Sequence, residues 1–214
     1  MCFSFHNQIR NKGATSMQKT SAIIMASGFS KRMGRNKLFL DYQGQTFLEH
    51  SLNLAKQLDF FERILVISPE NLAQVSLPQG VKVVLNHEAD QGQSASVRLG
   101  TQAASGEGYL YLTVDQPLLD ESVFLPLLTA FSTGNIVFPV TKAGDPSSPI
   151  YFGKDFRTEL MQVTGSSGGR EVRNKYPEKW CKINVEESEK LIDIDTISDY
   201  QELLAKTTYE RNLP

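Results

Sequence analysis

The chain has 214 residues, 40% of them hydrophobic and 21% charged, which suffices for one large α/β domain or for two small ones. A formal net charge of −2 predicts no nucleic-acid partner and no anionic membrane partner. Two cysteines, Cys2 and Cys181, allow no disulfide framework and no CxxC metal site and suit a reducing cytoplasm, and no apolar run approaches the length of a membrane span.

Residues 1–19 differ in character from the rest of the chain. They contain no long apolar core and show no clear periodicity, so we expect a mobile N-terminal extension, or an upstream start preceding Met17. Residues 20–214 show no linker-like change in composition and no internal repeat, and we predict that they form a single domain.

Short β-rich runs alternate with helical runs from Ser21 onward. The predicted strands are Ala22–Ala26, Arg63–Ser68, Val81–Leu85, Tyr109–Val114, Ile136–Val140, Pro149–Phe152 and Lys182–Val185. The predicted helices are Thr46–Leu58, Ser94–Ala104, Ser122–Phe131, Phe156–Val163 and Ile197–Lys206. This alternation predicts an α/β fold with a mostly parallel sheet covered on both faces. The less regular pair Ile136–Val140 and Pro149–Phe152 is expected to add one antiparallel strand.

A basic segment rich in small residues follows the first predicted strand. Residues 27–37, SGFSKRMGRNK, lie at the carboxyl end of that strand, where parallel sheets bind ligands. Small residues let backbone N–H groups approach a ligand, while Arg32 and Lys37 can neutralise a polyphosphate. The alternative is a strand-to-helix turn with a solvated basic face. The segment matches none of the patterns GxxxxGK[ST], GxGxxG and GxSxG.

Residues 26–37, ASGFSKRMGRNK, resemble the A-x-G-x-S-x-R-M-G-x-x-K signature of the nucleotidyltransferases. Within them the segment is most similar to the molybdenum cofactor cytidylyltransferase branch of the MobA-like NTP transferase family. The resemblance implies a Rossmann-like three-layer nucleotidyltransferase fold and catalytic contacts from Arg32 and Lys37 to the phosphates of an NTP. It also implies a wider set of nucleotide-binding residues in this region, namely Met25, Ala26, Ser27, Gly28, Ser30, Arg32 and Lys37.

A second stretch, NHEADQGQSAS at residues 86–96, resembles the Gly-x-Ser-x-Ser loop with which this family contacts the nucleobase. The resemblance implies that Gln93 and Ser94 bind the nucleotide, and both side chains offer donors and acceptors for a base edge. The alternative is structural, because Ser94 can cap the helix that follows.

Asp115 comes directly after a strongly apolar predicted strand, in VDQPLL. This stretch resembles the family's Asp-x-Pro motif, and the resemblance implies that Asp115 is catalytic and holds Mg²⁺. Magnesium is usually bound by one or two carboxylates together with phosphate oxygens and waters. An N-cap role is the alternative for Asp115, but Asp120 is the better cap for the following helix.

Residues 191–200, LIDIDTISDY, resemble the family's Asp-Ile-Asp-Thr-Pro-Glu-Asp segment, with Ile197 and Ser198 in place of Pro-Glu. The resemblance implies that Asp195 is the second metal carboxylate. The alternative is that Asp195 or Thr196 caps the last helix while Asp199 reaches back to it.

Two later loops resemble the acceptor side of the family, GDPSSPIYF at 144–152 and TGSSGGR at 164–170. They depart from it at Ser148, where a His is common, and at Ser166, which replaces an Asp. The resemblance implies Mg²⁺-dependent transfer of CMP from CTP to molybdopterin bearing molybdenum, a phosphomonoester, and a molybdenum enzyme that receives the product.

Three alternatives stay open. Ser27 lies where the branches of the family differ, so GTP or ATP can replace CTP. The departures in the acceptor loops allow another phosphorylated small molecule as acceptor. A non-catalytic maturation factor that binds the cofactor for a molybdenum hydroxylase is the third alternative.

Overall fold

A computed structural model describes residues 19–28, 33–77 and 79–211 of the chain. Within these ranges the strands are β1 Thr20–Ala26, β2 Asp41–Tyr42, β3 Gln45–Thr46, β4 Glu62–Ile67, β5 Val81–Leu85, β6 Gly108–Thr113, β7 Ile136–Val140, β8 Ile150–Gly153 and β9 Trp180–Asn184. The α-helices are α1 Phe47–Gln57, α2 Pro69–Leu72, α3 Gln93–Ala103, α4 Glu121–Leu128, α5 Arg157–Leu160, α6 Gly169–Lys175 and α7 Ile197–Arg211. The N-terminal extension expected at residues 1–19 lies outside the described residues, apart from Lys19.

Seven strands form one sheet in the order β5-β4-β1-β6-β8-β7-β9. The pairs β1–β4, β1–β6, β4–β5 and β7–β9 are parallel, whereas β8 runs antiparallel to both of its neighbours. Among the described strands of this sheet, β8 is therefore the one antiparallel member. The predicted α/β fold with a mostly parallel sheet and one antiparallel strand is confirmed.

The apolar residues of the central strands point to both faces of the sheet. In β1, Ile23 and Ile24 are both fully buried, but Ile24 packs with α1 on one face and Ile23 packs with α3 on the other. Successive side chains of a strand point to opposite faces, so a continuous apolar run needs cover on both sides. The helices supply that cover, and the fold has three layers.

Helix starts follow the capping residues in the sequence. Thr46 and Glu49 form a capping box at α1, and Asp120 caps α4 by accepting a hydrogen bond from the Ser122 backbone N–H. Ser68 caps the short helix α2, in which Pro69 occupies the first turn. Helix α2 was not predicted, although its cap and its proline are recognisable signals.

Two predicted helices are shorter than expected, and helix α6, like α2, was not predicted. The Phe156–Val163 prediction corresponds to a 3₁₀ turn followed by α5, and the Ser122–Phe131 prediction ends at Leu128. Helix α6 begins at Gly169, inside a segment whose glycines and serines indicated a loop. No helix in the described part of the chain has the length and apolar character that crossing a bilayer requires.

Candidate functional site

A cavity of about 550 Å³ opens where β1 and β6 end. Parallel sheets bind ligands at the carboxyl ends of their strands, so the fold places this cavity where a ligand is expected. Its walls come from the ends of β1 and β6, the starts of α3 and α6, and the segment before α7. The predicted site residues that line it are Met25, Ser27, Gly28, Lys37, Gln93, Asp115 and Asp195.

Lys37 stands between two carboxylates in this cavity. Its Nζ atom lies 2.8 Å from Oδ2 of Asp115 and 3.0 Å from Oδ1 of Asp195. Desolvation by burial lowers the pKa of Lys37, but the two carboxylates outweigh it, and the pKa lies above the usual value for lysine. The ammonium is therefore charged at neutral pH. Three residues that the sequence assigned to phosphate and metal contacts thus meet at one point.

A chain of side-chain amides positions the segment that carries Lys37. Asn36 Oδ1 accepts a hydrogen bond from the Leu38 backbone N–H and so caps the 3₁₀ turn that Lys37 begins. Asn36 Nδ2 donates to Asn71 Oδ1 at 2.6 Å, and Asn71 Nδ2 donates to the carbonyl of Ala26 at 3.0 Å. The turn is therefore tied through α2 to the end of β1. Sequence reasoning missed both asparagines, because nothing local marks this connection.

The segment before α7 is attached to the end of β6. The backbone N–H of Ile194 donates to the carbonyl of Asp115 at 2.8 Å. Gln116, next to Asp115, is buried, and its Nε2 atom donates to the carbonyl of Leu191 and to Ser147 Oγ, both at 3.0 Å. Gln116 thus joins the C-terminal carboxylate segment to the loop before β8. This role was also missed.

Thr196 and Asp199, rather than Asp195, cap helix α7. Thr196 Oγ1 accepts from the backbone N–H of Asp199, while Asp199 Oδ2 accepts from the backbone N–H groups of Thr196 and Asp195. Asp195 and Thr196 were the two candidate caps for α7, and the cap is Thr196. Asp199 accepts hydrogen bonds from the start of the helix, as expected. The carboxylate of Asp195 is left to face Lys37.

The carboxylates around Lys37 suit a divalent cation that is bound jointly by the protein and by the phosphate groups of a substrate. Oδ1 of Asp115 is buried and accepts no hydrogen bond from any described residue. Desolvation and, after it, the charges of Asp115 and Asp195 raise the pKa of Asp193 to about 6. Within the described residues no three His, Cys, Asp or Glu side chains could hold a metal ion together. Mg²⁺ commonly takes one or two carboxylates and completes its shell with phosphates and waters, so this donor set suits it.

Gly92 is the N-cap of helix α3, which begins at Gln93, so the alternative in which Ser94 caps this helix is wrong. Gly92 has φ +91°, and a Cβ atom there would lie 2.8 Å from the carbonyl oxygen of Gly165. Ser94 is fully buried, and its Oγ accepts from the Gly168 backbone N–H at 3.3 Å. Gln93 lines the cavity, while Ser94 holds α3 against the loop at 164–168.

The residues predicted to bind the nucleotide separate into three groups. Met25, Ser27 and Gly28 line the cavity, whereas Ala26 is fully buried in the sheet. The hydroxyl of Ser27 donates to the carbonyl of Val66 at 3.1 Å, so it ties the loop to β4. Ser30 and Arg32 lie outside the described residues.

Both predicted acceptor loops reach the same cavity. Ser147 and Ser148 line it from the loop before β8, in which the Ser148–Pro149 peptide is cis. Ser166 lies in the loop that precedes α6 and Arg170 lies in the first turn of α6, and both line the cavity. Arg173 lines it as well and was not singled out in the sequence. A single arginine in a helical stretch carries no signal that it will face a cavity.

Comparison with known proteins gives consistent matches. The family model described as the MobA-like NTP transferase domain matches residues 22–180. A molybdenum cofactor cytidylyltransferase of Escherichia coli is 26% identical over 200 residues, covering 90% of this chain and 98% of that protein. A probable molybdenum cofactor guanylyltransferase of Rhodopirellula baltica is 32% identical over 130 residues, covering 58% of this chain and 61% of that protein. The crystal structure of a Mycobacterium tuberculosis protein in complex with manganese has the same fold, with a TM-score of 0.74 at 21% identity over 87% of this chain and 98% of that one.

Proposed function

The chain belongs to the MobA-like NTP transferase family, the nucleotidyltransferases that its sequence resembles, and we propose that it transfers the CMP group of CTP to the phosphate of molybdenum-bearing molybdopterin. Pyrophosphate is the second product. The observation that carries this proposal is the meeting of Lys37, Asp115 and Asp195 at the carboxyl end of the sheet. The similarity to the Escherichia coli molybdenum cofactor cytidylyltransferase along nearly its whole length supports the choice of nucleotide and acceptor.

The proposed reaction is a single displacement at phosphorus. An oxygen of the acceptor phosphate attacks the α-phosphorus of CTP in line, a new P–O bond forms, and the bond to the bridging oxygen of the leaving pyrophosphate breaks. The electron pair of the broken bond stays on the pyrophosphate. No covalent enzyme intermediate is required, so the protein's contribution is to align two anionic substrates and offset their repulsion.

Lys37 and Arg32 have separate proposed roles in binding the phosphates of the nucleotide. Lys37 stabilises the negative charge that develops at the α-phosphate, and Arg32 holds the β- and γ-phosphates. Lys37 bonds to Asp115 and Asp195, so its ammonium lies where it can turn from carboxylate to phosphate oxygens when the nucleotide binds. The amides of Asn36 and Asn71 keep the backbone of Lys37 in place during this exchange.

Mg²⁺ is the proposed cofactor, with Asp115 and Asp195 as its protein ligands. When bound, it would neutralise charge on the phosphate oxygens of the two substrates. The buried Asp115 Oδ1 without a hydrogen-bond donor supports this assignment. The manganese complex of the structurally similar Mycobacterium tuberculosis protein is consistent with a divalent ion in this fold.

The choice of nucleotide, of the enzyme that receives the product and of the compartment rests on the sequence. CTP is preferred because the Gln93–Ser96 loop and the spacing from Gly34 to Lys37 resemble the cytidylyl branch, while the similarity to probable guanylyltransferases keeps GTP as a candidate. A molybdenum enzyme is the proposed recipient of the product, and the cytoplasm is the proposed compartment.

The test is pyrophosphate release with Mg²⁺, molybdenum-loaded molybdopterin and each NTP in turn. The intact chain is compared with Asp115→Ala and Lys37→Ala, and with Asp120→Ala, which removes a helix cap that does not line the cavity. CTP-selective release that only the first two substitutions abolish supports the proposal. Release with GTP or ATP instead would correct the nucleotide, and cofactor binding without release from any NTP would point to a carrier.

A further inference from the structure

Arg173, on helix α6, is a buried cation that faces the cavity. The residue is only 9% exposed, yet it lines the cavity. Its guanidinium carbon lies 5.1 Å from the centre of the Phe138 ring, and its Nε donates to Asn174 Oδ1 at 3.2 Å. Trp180 packs edge-on against Phe138 and donates its indole N–H to the Arg173 carbonyl at 2.6 Å. The Phe138 ring and the Trp180 hydrogen bond therefore hold the arginine in place on one side.

The charge of Arg173 has no carboxylate partner in the described part of the chain. No Asp or Glu oxygen there lies within ion-pair distance of it, and the charge on its helix that acts on it is another cation, Arg170, which also lines the cavity. Burial and, after it, the charge of Arg170 lower the pKa of Arg173. A buried charge without a counter-ion is costly, and an anionic ligand would relieve that cost.

Arg173 lies apart from the catalytic carboxylates. Asp115 follows β6, whereas Phe138, beneath Arg173, is in β7, and β8 lies between the two strands. Two strand spacings correspond to roughly 10 Å. That separation exceeds the size of one phosphate group, so one phosphate held by Lys37 would leave Arg173 without a counter-ion.

An apolar surface lies between the two charged ends of the cavity. Tyr111 of β6 pairs with Ile150 of β8, and both line the cavity together with Phe152. A Cβ atom on Gly169 would lie 3.1 Å from the Phe152 ring, so a glycine there lets α6 pack closely against this surface. The cavity thus offers a charged end at Lys37, an apolar middle and a second cationic end at Arg173.

We propose that Arg173, assisted by Arg170, binds a second anionic group of the acceptor, at the end of the molecule remote from its attacking phosphate. The substrate class is then an acceptor in which an apolar or aromatic body separates a phosphate from another negative charge. This inference rests on the proposed function in one respect, namely that the cavity receives a phosphomonoester acceptor beside the nucleotide.

The experiment measures two affinities separately in the full-length protein. Arg173→Met keeps the contact with Phe138 but removes the charge, and Lys175→Met is the matched control, because Lys175 is an exposed cation on the same helix. Calorimetry gives the Kd of CTP, and then the Kd of molybdenum-loaded molybdopterin with the site saturated by an α,β-methylene analogue of CTP. We expect Arg173→Met to weaken acceptor binding roughly tenfold or more, since a charge-assisted hydrogen bond is lost.

The same titrations also show whether the loss of affinity is confined to the acceptor and to Arg173. The CTP Kd should change by less than about twofold in Arg173→Met, and Lys175→Met should change neither Kd. An unchanged acceptor Kd, or an equal loss of CTP affinity, would overturn the proposal. If Arg173→Met does not fold, Arg173→Gln and Arg170→Gln are measured in the same way, and the same two results decide.

A second probe separates this inference from the proposed function. If the intact chain binds CTP but not molybdopterin, the proposed acceptor is wrong, and inorganic phosphate is titrated into the protein saturated with the CTP analogue. Weaker phosphate binding in Arg173→Met than in Lys175→Met would still support an anion site at Arg173. Equal phosphate binding in the two variants would overturn it.

Discussion

The Nζ atom of Lys37 lies 2.8 Å from Oδ2 of Asp115, a residue 78 positions further along the chain. Both side chains are about one-fifth exposed, at 19% and 18%, so water screens the pair only in part. In the proposed function, Lys37 contacts phosphate and Asp115 contacts the metal. In the structure they bond to each other, and this bond stabilises a site otherwise crowded with carboxylates.

Replacing the lysine should therefore destabilise the ligand-free fold. We expect Lys37→Met to lower the free energy of unfolding by about 1–3 kcal/mol, because Asp115, Asp193 and Asp195 lose their shared counter-charge. Asp115→Asn should cost less, and the double variant should be more stable than Lys37→Met alone, since one repelling charge is gone. Urea denaturation without nucleotide measures all three variants. The control is Lys190→Met, which removes a lysine paired with Asp120 and Glu187 elsewhere. A double variant no more stable than Lys37→Met would contradict the idea.

Replacing Asp195 should change the Mg²⁺ requirement, whereas replacing its neighbour Thr196 should change the stability of the fold. We expect Asp195→Asn to raise the Mg²⁺ concentration for half-maximal pyrophosphate release about tenfold, because the proposed metal carboxylate becomes an amide. Thr196→Ala should instead lower the free energy of unfolding by about 1 kcal/mol through the lost cap, with the Mg²⁺ requirement unchanged. Magnesium titrations of activity and urea denaturation of both variants are the measurements. Equal Mg²⁺ requirements in the two variants would remove Asp195 from the metal site.

Asn71 should matter for activity although it does not line the cavity. Asn71→Ala leaves the buried carbonyl of Ala26 without its donor, and we expect a loss of about 1–3 kcal/mol in unfolding free energy. Because the turn that carries Lys37 then loses its anchor, kcat should fall about tenfold in the fraction that remains folded. Asn53→Ala is the control, since Asn53 is exposed on α1 and bonds only Gln45 among the described residues. Normal kcat in Asn71→Ala would mean that the turn is held by other contacts.

Glu62 should make stability depend on pH. Burial alone would raise its pKa, but hydrogen bonds from the Ser105 backbone N–H and from the hydroxyls of Ser21 and Ser105 outweigh burial and hold the pKa below 4.5. A depressed carboxyl pKa contributes stability that is fully present above the unfolded value and is lost as the pH falls through the folded value. We therefore expect Glu62→Gln to cost about 1 kcal/mol at pH 7 and progressively less below pH 4.5.

Urea denaturation of Glu62→Gln between pH 3 and pH 7 measures this difference. Glu202→Gln provides the control, since Glu202 is exposed on α7. Stability curves of the Glu62 variant and the intact chain that stay parallel over this range would show that the charge of Glu62 contributes nothing.

Several features could be predicted from the sequence because short-range patterns encode them. The apolar runs of the central strands, the Thr46 and Asp120 caps and the antiparallel pair at β7 and β8 all follow from neighbouring residues. Gly and Ser content misled the prediction at α6, because glycine permits a helix even though it disfavours one.

The sequence by itself determined the α/β class, the family and seven of the site residues that line the cavity, since each depends on local periodicity or on a contiguous motif. Only the tertiary structure decided that Lys37 bonds to Asp115 and Asp195, that Asn71 anchors the turn of Lys37, and that Arg173 faces the same cavity. These contacts join residues up to 158 positions apart. They depend on the order in which strands assemble into the sheet, and no local pattern along the chain specifies that order.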